Sequence, residues 1–117
     1  MIIQKFEDII AWQKAQDLAV EIFLTFSDLK HSGFKNQISN AVVSISNNIA
    51  EGFDRSSDAD FSRFLYIAIG SASEVKSMLY LAERVNFINN EKRMKLIGMS
   101  DEVSKIIRGL IKSIAKK

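Results

Sequence analysis

The 117-residue sequence contains no cysteine, no proline, a single histidine and only five glycines. Without cysteine there is no thiol nucleophile, no thiolate zinc site and no disulfide framework, a composition that fits a reducing compartment. Without proline, and with its glycines set apart, the chain lacks the punctuation of a many-turned β protein and suits long uninterrupted helices. No run approaches the roughly 18 apolar residues of a membrane span. Met1-Ile2-Ile3-Gln4-Lys5 gives way at once to acidic and polar residues, unlike the apolar core of a signal peptide. The expectation is a cytoplasmic protein without a membrane partner, folded as one domain over residues 1–117.

Catalytic constellations are missing as well. The one histidine, His31, stands between Lys30 and Ser32 in a loop and reads as a solvated side chain. A metal site in a helix bundle calls for Glu-x-x-His on facing helices, and the sequence has none. No serine is accompanied by a base in a triad pattern, and the glycine motifs that cradle phosphates or dinucleotides do not occur. The expectation is therefore not an enzyme, with no catalytic residue, no metal ligand and no cofactor.

What the chain does have is helical periodicity. Ile10, Ala11, Ala15, Leu18, Ala19, Ile22, Phe26 and Leu29 recur at three- and four-residue steps, predicting a first helix over about 8–29 with Asp8 placed to cap or favour its first turn. His31-Ser32-Gly33 breaks the pattern, Gly33 being the expected turn residue. Ile38, Val42, Ile45 and Ile49 then mark a second helix that Gly52 is expected to end. A third, over about 58–86, carries Phe61, Leu65, Ala68, Ala72, Val75, Leu79 and Ala82 in alternating four- and three-residue steps, the seam of a bundle. After Asn89-Asn90 a fourth helix turns Leu96, Val103, Ile107, Leu110 and Ile114 inward. Four amphipathic helices joined by short connections predict an all-α, antiparallel, up-down-up-down four-helix bundle.

Three groups of residues remain once this core is assigned. Beside the seam of the third helix runs a second stripe, Ile67, Ser71, Glu74, Met78, Leu81 and Val85, left over for an oligomer interface. Within it Glu74 reads as a polar specificity contact, and Trp12 on the first helix as a core or interface anchor. In SISNNIAEGF, residues 44–53, the second helix collects Ser44, Asn47, Asn48 and Glu51 away from its apolar arc, with Asn40 one turn before. Such residues compete for backbone hydrogen bonds in a helix interior, so Asn48, Glu51 and Gly52 are expected to be structural. Finally, residues 90–117 carry eight Lys/Arg against three Asp/Glu, whereas residues 1–56 carry five against seven. Lys92, Arg93, Lys95, Lys105, Arg108, Lys112, Lys116 and Lys117 are the candidate nucleic-acid contacts, and with no aromatic residue after Phe87 they would act on phosphates rather than stack on bases.

These pieces carry a resemblance. Phe6-Glu7-Asp8, Ala11-Trp12-Gln13-Lys14-Ala15, Gln37 with Ala41, Ser44, Asn48-Ile49-Ala50-Glu51-Gly52, Arg63-Phe64-Leu65, Ile67-Ala68, Gly70-Ser71 and Glu74 occur in the order seen in the proteins encoded in intervening sequences of bacterial 23S rRNA genes. The chain resembles that family, often labelled ribosomal-protein-like, over nearly its whole length. The resemblance implies an up-and-down bundle assembled as a ring-like homo-oligomer, often a pentamer. Some relatives are accessory proteins of diversity-generating retroelements whose basic bundles engage nucleic acid and a reverse transcriptase. The sequence departs from the family pattern at Ser27 and Lys30, where Pro and Glu are usual, at Ser46, where Pro is frequent, and at Asn40, where Arg is common. The last change thins any inherited basic surface.

The function expected from the sequence is thus a non-enzymatic homo-oligomeric scaffold that binds RNA, DNA or a ribonucleoprotein component through a basic C-terminal helix. The rival expectation is a purely structural protein–protein interaction module.

Overall fold

The computed structural model describes residues 3–116 and shows four long helices preceded by a 3₁₀ turn, Phe6–Asp8. The helices are α1, Ile10–Thr25; α2, Ser32–Phe53; α3, Asp58–Arg84; and α4, Asn90–Ala115. Each packs on its neighbours in the order α1–α2–α3–α4, and α4 closes back on α1. The result is a square, antiparallel four-helix bundle measuring 46 × 22 × 19 Å.

Its core follows the apolar periodicity. Leu18 and Ile22 of α1, Ile38, Val42, Ile45 and Ile49 of α2, Leu65, Val75 and Leu79 of α3, and Leu96 and Ile107 of α4 are fully buried. At about 0.8 kcal/mol per buried methylene, this shared core is the main favourable term holding the helices together. All seven residues of the expected α3 seam are buried. Ile10 is not; it is 54 % exposed, because α1 begins only at that residue and Ile9 takes the inward position.

The helix ends show where local chemistry differs from the expected boundaries. Asp8 caps nothing: it sits in the 3₁₀ turn, and the N-cap of α1 is Ile9. Gly33 is not a turn residue but lies in the first turn of α2, because the His31 Nδ1 accepts the Phe34 N–H at 3.1 Å and starts the helix at Ser32. His31 is therefore an N-cap whose ring also stands 5.8 Å from that of Phe87. Ser57 caps α3 through the Asp60 N–H, and Asn89 caps α4 through the Lys92 N–H at 2.8 Å.

The α3 helix stops at Arg84, two residues before the expected end. Asn86 adopts φ 64°, and the Phe87 N–H donates to the Ala82 carbonyl at 2.8 Å. This is the Schellman closure, which needs one residue in the left-handed region; asparagine tolerates that region better than most. Phe87 is thereby turned onto Phe34, ring centroids 5.2 Å apart, tying the α3–α4 connection to the start of α2.

Candidate interaction surfaces

The polar cluster of α2 is used inside the chain. The Asn48 Nδ2 donates to the Ser44 carbonyl at 2.8 Å and to the Ser44 Oγ at 2.9 Å. That hydroxyl lies 2.8 Å from the Ser71 Oγ of α3. An amide and two hydroxyls thus satisfy one another across the α2–α3 contact, where buried polar atoms would otherwise be costly. On the other flank of α2, the buried Ser46 hydroxyl accepts from the Gln16 Nε2 of α1. Glu51 is exposed and pairs along the helix with Arg55 at 3.1 Å.

Gly52 plays a different part from the expected helix stop, since α2 runs on to Phe53 and ends at Asp54 in ordinary αR geometry. It is buried against α3, and a Cβ built there would come within 2.5 Å of the Phe64 Cβ. The glycine is a close-approach site. Phe64 is held above it between the guanidinium groups of Arg55 and Arg63, 4.8 and 4.6 Å from its ring centre.

The second stripe of α3 divides. Ile67, Leu81 and Val85 are exposed, as is Glu74, which accepts from the Gln37 Nε2 at 3.4 Å. Met78 is buried and Ser71 half-buried, so neither belongs to an open interface. The reason is the breadth of the α2–α3 contact: α2 covers that edge of α3, with Met78 sharing a hollow with Phe34 and Gln37, and Ser71 bonded to Ser44. Trp12 is half-buried and meets Phe6 edge-on at 5.3 Å, anchoring the N-terminal segment on α1.

Another exposed apolar surface lies where the sequence reading placed none. Val20, Phe23 and Leu24 of α1 are 56, 50 and 67 % exposed and line one shallow groove with Ala19 and Val43. Its surroundings carry little charge. The Lys14 and Glu21 side chains point to the opposite flank of α1, where they pair with Glu102 and Lys95 of α4. Along α2 no residue from Asn36 to Ala50 is charged, so its outer ridge is formed by Asn36, Asn40 and Asn47. A helical-wheel count on α1 alone could have flagged Val20, Phe23 and Leu24, but only the packed bundle shows that they adjoin Val43.

The basic residues also separate into two groups. Arg93 donates to Glu83 at 2.7 Å and lies 5.3 Å from the Tyr80 ring centre, while Lys95 pairs with Glu21 at 3.2 Å. The Arg93 guanidinium, with the Asn90 amide, holds the Glu83 carboxyl below the usual carboxylate range. Lys92 is half-buried beside the Asn89 cap. Lys105, Arg108, Lys112 and Lys116 are exposed, and among the described residues none has a carboxylate within ion-pair distance. The first three line a shallow depression between α3 and α4 with Lys76, Ser104 and Gly109. Lys76 is neutralised there by Asp101 at 2.9 Å, whose hydrogen bond and charge raise the lysine above its ordinary value. Lys117 lies outside the described residues.

Among the described residues, no group of three or more His, Asp or Glu side chains converges as a metal site would require, and no helix is long and apolar enough to cross a membrane.

The family model for the 23S rRNA-intervening sequence protein matches residues 7–109. The chain belongs to that family. The match runs from the 3₁₀ turn to the second turn from the end of α4, and so takes in both the apolar groove and the Lys105–Arg108 part of the depression. A solved relative has the same bundle: the crystal structure, at 1.70 Å, of a protein of unknown function from the S23 ribosomal protein family of Bacteroides thetaiotaomicron VPI-5482. It superposes with a TM-score of 0.82 at 30 % identity, covering 88 % of this chain and 99 % of the relative. The comparison with curated proteins gives no match.

Proposed function

We propose that this member of the 23S rRNA-intervening sequence protein family is a non-enzymatic scaffold that works as a homo-oligomer. The observation that carries the reading is the apolar flank of α1 and α2, with Val20, Phe23 and Leu24 half or more exposed around a groove floored by Ala19 and Val43. Contiguous apolar surface of this kind marks an interaction site more often than a solvated face. Light scattering at micromolar concentration tests it: the expected mass is severalfold the 13.2 kDa of one chain. A clean monomer overturns it.

A second activity, nucleic-acid binding, is supported by the unpaired basic group Lys105, Arg108 and Lys112. A cation whose charge no carboxylate offsets is free to replace counterions on a phosphate backbone, and such binding weakens steeply with salt. Arg93 and Lys95 are weaker candidates because Glu83 and Glu21 already hold them. An oligomer would present one basic depression per subunit and raise avidity. The test is a salt titration of binding to duplex and single-stranded RNA and DNA, with Lys105→Gln/Arg108→Gln/Lys112→Gln alongside. Salt-sensitive binding that the triple variant loses supports this reading; no binding at about 50 mM salt, or binding unaffected by the triple change, leaves the purely structural module. A reverse transcriptase or other ribonucleoprotein component recovered with the protein from lysate, resistant to nuclease, would add a protein partner.

A further inference from the structure

The α3–α4 face combines two kinds of side chain that the sequence keeps apart. Its free cations, Lys105, Arg108 and Lys112, come from α4 and line the shallow depression. Its exposed aromatics, Tyr66 and Tyr80, come from α3. We infer that this face binds single-stranded nucleic acid in preference to duplex, with Tyr66 and Tyr80 as platforms on which unpaired bases stack at the two ends of the depression. The inference rests on the nucleic-acid reading and names the class of nucleic acid.

Helix geometry puts both rings on the side of α3 that borders α4. At about 100° per residue, Tyr66, Ser73 and Tyr80 fall within about 40° of one another, and Tyr80 meets Arg93 of α4 while the nearby Lys76 reaches Asp101. Three contacts set the register of the two antiparallel helices: Glu83 with Arg93, Lys76 with Asp101, and the Ser100 hydroxyl donating to the Ala72 carbonyl at 3.2 Å. They place Tyr80 near the start of α4 and Tyr66 level with Arg108 and Lys112. The rings thus bracket the depression, about 21 Å apart along α3, the span of roughly six stacked nucleotides at about 3.4 Å each.

Neither ring is used up by the fold. Tyr66 is 57 % exposed and, among the described residues, has no ring or guanidinium against it. Tyr80 is 47 % exposed; the Arg93 guanidinium, 5.3 Å from its centre, holds the ring and leaves nearly half the side chain open. Between them the surface is low, because nothing lies within 4 Å of a Cβ built on Gly109. The α3 helix supplies no free cation to the depression, since Lys76 is held by Asp101. What it supplies is aromatic surface.

Rings and cations select different forms of nucleic acid. Cations alone favour the duplex, which carries a charge every 1.7 Å or so of its axis, about twice the density of one strand. The bases of a duplex are already paired and stacked on one another, whereas an unpaired base offers a free face to a protruding ring whatever its sequence. A basic surface flanked by open tyrosines therefore turns the preference toward the single strand.

The decisive experiment titrates the full-length protein, at about 50 mM salt, with a mixed-sequence single strand of about 20 nucleotides, as RNA and as DNA, and with the DNA duplex of the same sequence. Wild type is expected to bind both single strands more tightly than the duplex. In Tyr66→Leu/Tyr80→Leu the single-strand affinity should fall about 5-fold or more for each ring removed, while duplex affinity and the dependence on salt stay as they were, because no phosphate contact is lost. Tyr66→Phe/Tyr80→Phe keeps the rings and should keep the preference. Both positions are exposed, so these variants should retain the wild-type helical circular dichroism. Tighter binding of the duplex by wild type, an unchanged preference in the leucine variant, or its loss in the phenylalanine variant overturns stacking while binding by the basic group stands. So does a loss confined to RNA, which would mark a contact to the 2′-hydroxyl instead. No binding to any of the three probes removes the nucleic-acid reading itself, and this inference with it.

Discussion

At the scale of single residues, the glycines separate two physical roles. Gly52 is required by packing: a methyl group there meets Phe64 Cβ at 2.5 Å and the Phe61 ring at 3.2 Å. Gly52→Ala should therefore cost about 1–3 kcal/mol through overpacking, read as a lowered midpoint in urea unfolding. Gly98 and Gly109, inside α4, have nothing within 4 Å of an added Cβ. Replacing either by alanine should raise stability by about 0.5–1 kcal/mol, since glycine loses more backbone entropy on entering a helix. Opposite signs at chemically identical substitutions are the check. Asn48→Ala removes two hydrogen bonds to Ser44 and exposes the Ser44–Ser71 pair, with an expected loss of about 0.5–1.5 kcal/mol. Asn48 and Gly52 could be singled out as unusual helix residues from the sequence. That one satisfies Ser44 while the other admits Phe64 could not, because both partners are fixed by how α2 lies on α3.

At the scale of the helices, ends and edges matter most. Asn89→Ala deletes the side-chain cap of α4 and should lower stability by about 1 kcal/mol. One turn on, Arg93 joins α4 to Glu83 near the end of α3. Because Glu83 is held below its ordinary pKa, the pair's contribution is intact above the pKa of an unfolded glutamate and is lost as pH falls through the lower folded value. Arg93→Gln should therefore melt at lower temperature than wild type at about pH 6, and the gap should close as pH falls toward about 3. Lys76 has the opposite sign: raised by Asp101, its contribution persists at neutral pH and disappears only as pH climbs through the raised value. Thermal melts between pH 3 and pH 6 on the two proteins measure the first effect. The caps at Ser57 and Asn89 are legible as sequence signals; the histidine cap is not, because histidine is not among the residues that ordinarily cap a helix, and its ring accepts the Phe34 N–H all the same.

At the scale of the whole molecule, the two proposed activities are coupled by geometry. The groove lies between α1 and α2, whereas the Lys105, Arg108 and Lys112 depression lies between α3 and α4. Assembly through the groove should therefore leave that depression open and multiply it. At moderate salt, Phe23→Arg/Leu24→Arg is expected to bind long nucleic acid more weakly than wild type despite its added positive charge, while binding to a fragment too short to bridge two subunits should not fall. Filter binding with fragments of graded length checks this. Equal loss on short and long fragments would place the nucleic acid on the groove instead.

The fold was determined by the sequence alone to a large extent. Apolar residues at three- and four-residue steps can be buried only as helix faces, the absence of proline lets those faces run for 16–27 residues, and short connections permit little besides antiparallel packing. The seven-residue seam of α3 was readable because every member points to one axis. What tertiary structure decided is the status of residues at the edges of each face. An edge residue is buried or exposed according to how far its neighbour overlaps it, and that overlap is a property of two helices together. Met78 and Ser71 lie under α2, while Ile67, on nearly the same azimuth as Met78, stays open. Val20 and Phe23 become part of a groove only because Val43 comes alongside. The same holds for charge: Arg93 and Lys105 are alike in the sequence, but packing gives one a carboxylate from another helix and leaves the other without one, because ion pairing acts over a few ångströms in space and not along the chain.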